Sequence, residues 1–452
     1  MFKRKITDQF DSWANASRKA LLVTGARQIG KSYAIRAFGE RRFGAYFEAN
    51  LLLDAEALDA LTGARNAPDF INRISLLAKS PLVEGDTLIF IDEIQEYPEI
   101  VTLAKALVED GRYRYAFSGS MLGTEFKGIT SFPVGYVDQF VMRPMDFEEF
   151  CWAVGVGEAV LGDLRECLRD ERAPEAYLHD AMLRNFRAYL LAGGMPEVVQ
   201  AYVDSGYSLA NTRELQDQLV GQYRRDISKY AGTRALRVRE IFDRLPAQLE
   251  EDPHRFTFAT LRENARYSQY DRDFLWLVNA GAALMVRQAT EAKAPLKRTE
   301  LPERFKLYQS DTGMLLSRYP QSTARAVYLG RASQNLGGIY ENAIAQELVA
   351  AGVPLWYYAA EGVGEVDFLM EGEGGRVVPI EVKSGRKIRS HAALDRLLGM
   401  GEYKIRDAIV ISRNPLERDG RILYVPLYLT FCLDEFVDRE SSDFTFAPIA
   451  LK

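Results

Sequence analysis

Residues 25–32 read GARQIGKS. This is a complete G-x-x-x-x-G-K-[ST] pattern, and no other feature of the chain limits its fold so sharply. Before it, ALLVTGA (20–26) is a brief apolar run, partly β-branched, that stops at a glycine; it predicts a short buried strand. After it, the spacing predicts a helix from about Lys31 to Phe38. Strand, glycine loop and helix in that order make a cradle for phosphate. Glycine lets the backbone wrap tightly and turn its N–H groups inward, and the helix N-terminus faces the anion. Gly25, Ala26, Arg27, Gln28, Ile29, Gly30, Lys31 and Ser32 are therefore the candidate phosphate-binding residues. Lys31 is placed to reach the β- and γ-phosphates of ATP, and Ser32 to ligate Mg²⁺. The bland alternative is a glycine turn followed by an exposed lysine.

The same grammar continues downstream. Tyr46–Glu48, TLIFI (87–91) and YRYAFS (113–118) read as further strands, with helical stretches between them. Strands alternating with helices predict a parallel sheet covered on both faces. The second of these runs on into an acid pair, LIFIDE (88–93). Asp92 is the candidate for the Mg²⁺ shell, and Glu93 the candidate general base for an attacking water. The alternative is a strand ending in two surface acids. YRYAFS leads into Ser118-Gly119-Ser120, where Ser118 or Ser120 is placed to touch the γ-phosphate or its water, unless this is a plain Ser/Gly turn.

Composition bounds the rest. A chain of 452 residues has a prior of about three domains. It carries 57 Lys+Arg against 63 Asp+Glu, which excludes a polybasic, histone-like protein but not a local basic face. Three Cys (Cys151, Cys167, Cys432) and three His (His179, His254, His391) never fall at zinc-ligand spacing. A disulfide scaffold is likewise not expected, which fits a reducing cytoplasm. The basic N-terminus has no apolar run behind it, so no secretory signal is expected. No apolar stretch is long enough for a membrane span. A cytoplasmic protein without a membrane partner is the expectation.

The order of motifs resembles a large prokaryotic family of AAA-like ATPases with a C-terminal domain long regarded as uncharacterised. The carriers are GARQIGKS (25–32), FIDEIQEYPE (90–99), SGSML (118–122), RPMDFEEF (143–150), YLLAGGMPEVV (189–199), YRRDISKY (223–230), KLYQSDTGML (306–315) and GGIYENAIAQEL (337–348), followed by EVDF and IEVKS. The resemblance covers nearly all of residues 20–430. It implies an α/β fold: a P-loop NTPase parallel sheet (1–150), a helical lid (151–222), a winged-helix-like middle segment (223–300) and a C-terminal α/β domain similar to PD-(D/E)XK nucleases (301–452). One departure stands out. Where the family carries a Gly-Arg pair, this chain has Gly135-Tyr136, and Arg143 is the candidate substitute. An arginine that senses phosphate can contribute several orders of magnitude in rate, so its loss predicts slow turnover. Many such ATPases complete the site from a neighbouring subunit, so a second copy of the chain is a candidate partner.

In the middle segment, Phe258, Leu261 and Ala265 share a helical face. A second helix through Phe274, Leu277 and Val278 is predicted, then a wing strand at Ala283–Gln288. Lys and Arg slightly outnumber Asp and Glu from 212 to 298. Two readings stay open: DNA binding, with Arg262, Arg266 and Arg272 on phosphates, or an interdomain packing module.

Toward the C-terminus, Glu341 lies in a predicted helix, Asp367 on a strand, and Glu381 and Lys383 alternate along VVPIEVKS. Strand alternation puts Glu381 and Lys383 on one face, and Asp367 on a neighbouring strand can converge with Glu381. Two hard oxygen ligands suit Mg²⁺, with Lys383 orienting water or stabilising charge. This set resembles the PD-(D/E)XK core, which implies Glu341, Asp367, Glu381 and Lys383 as its catalytic residues. The alternative is a nuclease-like fold used for contacts, with these residues as buried ion pairs. Three functions thus compete: an ATPase whose nucleotide state controls the C-terminal module, an ATP-gated Mg²⁺-dependent nuclease, and a non-enzymatic nucleotide-dependent switch.

Overall fold

Alternation of side chains explains how the apolar runs around the glycine loop become a sheet covered on both faces. In the computed structural model, which describes residues 2–120, 133, 135–251, 253–331, 336–385 and 388–437, five strands form this sheet. They are β1 (Ala20–Gly25), β2 (Ala45–Asn50), β3 (Thr87–Asp92), β4 (Arg114–Ser120) and β5 (Val137–Met142). Their order is β2-β3-β4-β1-β5, and every pairing is parallel. Leu21, Val23, Leu88 and Phe90 pack on one face with Phe10, Trp13 and Phe38 from helices Ile6–Ala16 and Lys31–Arg42. Leu22, Ile89, Ile91 and Phe117 pack on the other with Phe70, Ile74 and Leu107 from helices Ala67–Leu77 and Ala104–Asp110. Because the strands are parallel, their C-terminal ends share one edge, where ligands bind in such sheets. Gly25 pairs with both Ser120 and Met142 at that edge.

Helices Phe147–Ala153, Glu158–Arg169, Ala176–Ala192, Pro196–Asp204 and Thr212–Tyr230 follow. The turn between the third and fourth is glycine by necessity. A Cβ on Gly193 (φ +75°) would sit 2.4 Å from Asp311 Oδ1, and one on Gly194 would sit 2.0 Å from the Met145 carbonyl oxygen. Helices Ala235–Glu250 and Asp271–Asn279 lead to β6 (Ala283–Ala289). The predicted helix over Phe258–Ala265 is not formed; only a short 3-10 turn at Phe258–Thr260 is present. The reason is packing. Phe258 joins Phe256, Phe274 and Phe305 in an aromatic cluster with ring centroids 4.8–5.9 Å apart, which a regular helix would pull it out of.

The second sheet has eight strands in the order β12-β13-β11-β10-β9-β8-β6-β7. After β6 these are β7 (Glu300–Gln309), β8 (Leu355–Ala360), β9 (Gly364–Gly372), β10 (Arg376–Val382), β11 (Ala408–Ser412), β12 (Glu417–Asp419) and β13 (Ile422–Pro426). β6 runs parallel to β8, with Arg287 opposite Trp356, so the segment read as a wing belongs to the C-terminal sheet. Gln321–Tyr328 is helical. Helix Gly337–Ala350 is buried along most of its length and joins the C-terminal sheet to helix Ala176–Ala192 in one apolar core. Tyr357 and Tyr358 are fully buried there and in the adjoining core. Among the described residues, no helix is long and apolar enough to cross a membrane. All three cysteines are buried free thiols.

Candidate functional site

The glycine loop joins the end of β1 to helix Lys31–Arg42 with the strained backbone its sequence foretells. Gly25, Gln28 and Gly30 all have positive φ (+146°, +61° and +89°). Gly25 is held to glycine for a further reason, since a Cβ there would meet the Met142 carbonyl oxygen at 2.2 Å. Lys31 is buried and folds back over the loop, its Nζ donating to the carbonyl oxygens of Gly25 (3.1 Å) and Ala26 (2.7 Å). Burial lowers its pKa to about 8 even though Glu93 and Asp92 pull it upward. A phosphate arriving here therefore meets a cation with too few counter-charges.

Ser32 and Asp92 are sixty residues apart and meet directly, Ser32 Oγ donating to Asp92 Oδ2 (2.7 Å). Asn50 at the end of β2 donates to the same oxygen (2.9 Å). On the other oxygen, Asp92 Oδ1 accepts the Glu93 N–H (2.9 Å) and the Ser118 hydroxyl. Asn50 was not foreseen from sequence; its one signal is an amide side chain closing an apolar strand. Glu93 begins the next turn in the left-handed region (φ +57°) and accepts from Gln95 Nε2. Of the serine pair, Ser118 touches Asp92, whereas the buried Ser120 hydroxyl has no hydrogen-bond partner among the described residues. Met121 and Leu122 of SGSML lie outside the described residues.

Tyr136 lies at the opposite end of the sheet from the loop. Its carbonyl accepts the Ala20 N–H (2.9 Å), at the start of β1. Gly25 lies five residues further along that strand, about 17 Å at the usual rise. A side chain at position 136 cannot reach this chain's own phosphates, so its being tyrosine removes nothing from the site in cis. Arg143, by contrast, follows the C-terminal end of β5 and lines a cavity of about 410 Å³ together with Gly25 and Ala26. Burial, with no carboxylate to oppose it, lowers the Arg143 pKa.

Residues 17–151 match the AAA domain family model. This stretch holds the five-stranded parallel sheet and its glycine loop. Residues 183–323 and 336–429 match two domains of unknown function, DUF8612 and DUF4143. Among solved structures, the Walker-type ATPase PABY2304 of Pyrococcus abyssi is similar at 14% identity and a TM-score of 0.43, over 70% of this chain and 96% of that one. The S. cerevisiae Hsp104-ADP complex is similar at 15% identity and a TM-score of 0.26, over 78% of this chain and 44% of that one. Both likenesses are distant. No curated protein matches the chain.

Two contacts tie the P-loop to the rest of the molecule. Arg27 donates to Asp226 Oδ1 (3.0 Å) and to the Tyr230 hydroxyl (2.9 Å) on helix Thr212–Tyr230, and lies over the Tyr230 ring. Gly281, in the turn before β6, approaches the P-loop so closely that a Cβ there would sit 2.9 Å from the Ala26 Cβ.

The C-terminal set comes together, with company that sequence did not announce. Val382 N–H donates to Asp367 Oδ2 (2.8 Å), which places Asp367 beside Glu381. Lys383 Nζ donates to Glu381 Oε1 (2.7 Å). Lys306 of β7, almost wholly buried, lies 3.0 Å from Glu341 Oε2, 2.8 Å from Glu365 Oε1 and 3.5 Å from Asp367 Oδ1. The Tyr308 hydroxyl (3.1 Å) and His254 Nε2 (3.2 Å) also meet Glu341. Burial alone would raise the Glu341 pKa, but Lys306 and His254 hold it down to about 2. Burial, with Glu341 and Glu381 adjacent, raises Asp367 well above the carboxylate range. Lys306 and His254 carry no sequence signal toward this cluster because they come from segments far from the acids along the chain, and Glu365, two residues before Asp367 on the same strand, is tied to it only through Lys306.

Exposed Arg262, Arg266 and Arg272 lie elsewhere on the middle segment. Arg266 borders a groove of about 620 Å³ lined also by Arg255, Arg304, Phe258 and Tyr267.

Proposed function

We propose that the chain binds ATP with Mg²⁺ at the P-loop, hydrolyses it, and transmits the nucleotide state to its C-terminal part. The observation that carries this reading is the meeting of Ser32 and Asp92 across sixty residues of sequence, beside a buried Lys31. A hydroxyl and a carboxylate are hard oxygen donors of the kind Mg²⁺ takes. The ion would be held by Ser32 and Asp92 and would neutralise charge on the phosphate oxygens. The protein's own groups do the rest. Loop N–H groups and Lys31 receive the phosphates, and the Lys31 ammonium leaves the Gly25 and Ala26 carbonyls for phosphate oxygens. Glu93 orients the attacking water and takes up its proton. Arg143 supplies a cation near the start of the loop.

Transmission follows from the two contacts of the P-loop. Arg27 holds helix Thr212–Tyr230, and Ala26 supports the turn into β6 and hence the C-terminal sheet. A loop that shifts on binding phosphate acts on both. In the test, Glu93→Gln retains ATP binding while turnover falls at least a hundredfold; undiminished turnover removes Glu93 as base.

A second reading, contact with nucleic acid, is favoured by the groove that Arg255, Arg266 and Arg304 share with Phe258 and Tyr267, since cations with aromatic faces suit a phosphate backbone and stacked bases. Fluorescence anisotropy with labelled single-stranded DNA tests it. Arg266→Ala with Arg304→Ala should weaken binding at least tenfold, and equal binding discards the groove.

A further inference from the structure

Resemblance to PD-(D/E)XK nucleases implies a divalent cation between Asp367 and Glu381. The residues present do not fit one. Magnesium asks for near-octahedral oxygen ligands at about 2.0–2.1 Å, several of them open to water. Here the acid oxygens are already used. Glu341 Oε2 and Asp367 Oδ1 face Lys306 Nζ, Glu341 Oε1 faces His254, Asp367 Oδ2 accepts a backbone N–H, and Glu381 Oε1 faces Lys383. Only Glu381 Oε2 is buried without a partner. Among the described residues, no three His, Cys, Asp or Glu side chains are disposed to hold a metal ion.

Charge leads to the same place. Four acids (Glu341, Glu365, Asp367, Glu381) face four basic groups: Lys306, Lys383, Arg255 beside Glu365, and His254. Even with all four acids ionised, the cluster is not short of positive charge. Adding one would leave the excess buried, and Lys306 Nζ would have to leave a position that is only 1% exposed.

We propose that Lys306 is a built-in cation that takes the place of the divalent metal, so that the C-terminal cluster is a metal-independent ion network rather than a nuclease centre. Its ammonium, carried by β7, bridges the helix acid Glu341 to Glu365 and Asp367 on β9, joining two elements whose acids would otherwise repel. A corollary is that removing the ammonium exposes a latent cation site, because the displaced oxygens then face one another.

The test uses the full-length, nucleotide-free protein and Mn²⁺, with free ion counted by electron paramagnetic resonance. Wild type and Asp367→Asn should bind Mn²⁺ identically, since any ion taken up lies at the P-loop acids. Lys306→Met should gain one further site at least tenfold tighter than anything wild type shows there, and Lys306→Met with Asp367→Asn should lose it. A wild-type ion that Asp367→Asn abolishes overturns the proposal, as does a folded Lys306→Met protein that gains none. If Lys306→Met does not fold, the comparison of wild type with Asp367→Asn still decides whether the native cluster takes a metal. An ATPase failure at Lys31 would leave this result untouched, because the two sites are read separately.

Discussion

Replacing Arg27 with Met tests the tie between the P-loop and helix Thr212–Tyr230. The change removes an ion pair at 3.0 Å, a hydrogen bond of 2.9 Å and a ring contact at 5.2 Å. Side chains of Arg27 and Asp226 are only 16% and 10% exposed, so Asp226 is left as a poorly solvated, unpaired carboxylate. Burial already raises its pKa with Arg27 present. Breaking a fully buried pair costs about 3–5 kcal/mol; partial exposure reduces that to about 2 kcal/mol here. Chains of this size do not unfold in a single two-state step, so the suitable assay is local. Native-state hydrogen exchange over residues 223–230 should accelerate about 30-fold in Arg27→Met, the equivalent of about 2 kcal/mol at 1.4 kcal/mol per tenfold. Asp226→Asn should accelerate it less, and the double variant should match the milder single one, since Asn needs no counter-charge. Unchanged exchange in Arg27→Met, or strictly additive effects, would refute the coupling.

Three further outcomes follow from other sites. Asp311→Ala should cost about 3 kcal/mol of local stability, read by native-state hydrogen exchange over residues 312–317, because the fully buried carboxylate caps helix Thr312–Ser317 at Met314 N (2.8 Å) and accepts the Gly194 N–H (2.6 Å). Glu347 is buried, and burial with Asp146 nearby raises its pKa to about 8. The folded state therefore holds a proton between roughly pH 4.5 and 8 that the unfolded chain releases, and stability falls as pH rises through that window by at most about 1.4 kcal/mol per unit. Glu347→Gln should flatten that slope; an unaltered slope assigns it to other groups. Arg143→Ala should lower the ATP turnover rate at least tenfold in a phosphate-release assay, whereas Tyr136→Ala should leave the rate of the monomer unchanged.

The first sheet is legible in sequence because its determinants are local. The inner strands β1, β3 and β4 are mainly apolar and buried, and the residues that matter sit where their apolar runs stop: Gly25, Asp92 and Ser118. The meeting of Ser32 with Asp92 follows once the strands are parallel. What stays hidden is whatever depends on partners far along the chain. Lys306 reads as one charge in the run RFKLYQ, and nothing nearby shows that its counter-charges come from β9 and helix Gly337–Ala350. Phe258, Leu261 and Ala265 keep helical spacing, yet packing against Phe256, Phe274 and Phe305 outweighs that preference. β6 has the length and composition of a wing, and only its pairing with β8 makes it part of the larger sheet.

The central claim is that the loop at residues 25–32 is a working nucleotide site, and calorimetric titration of ATP with Mg²⁺ into wild type and Lys31→Ala tests it most directly. Wild type should bind one ATP per chain, and Lys31→Ala should bind at least a hundredfold more weakly, about 2.7 kcal/mol. Equal affinity in the two proteins would contradict the account.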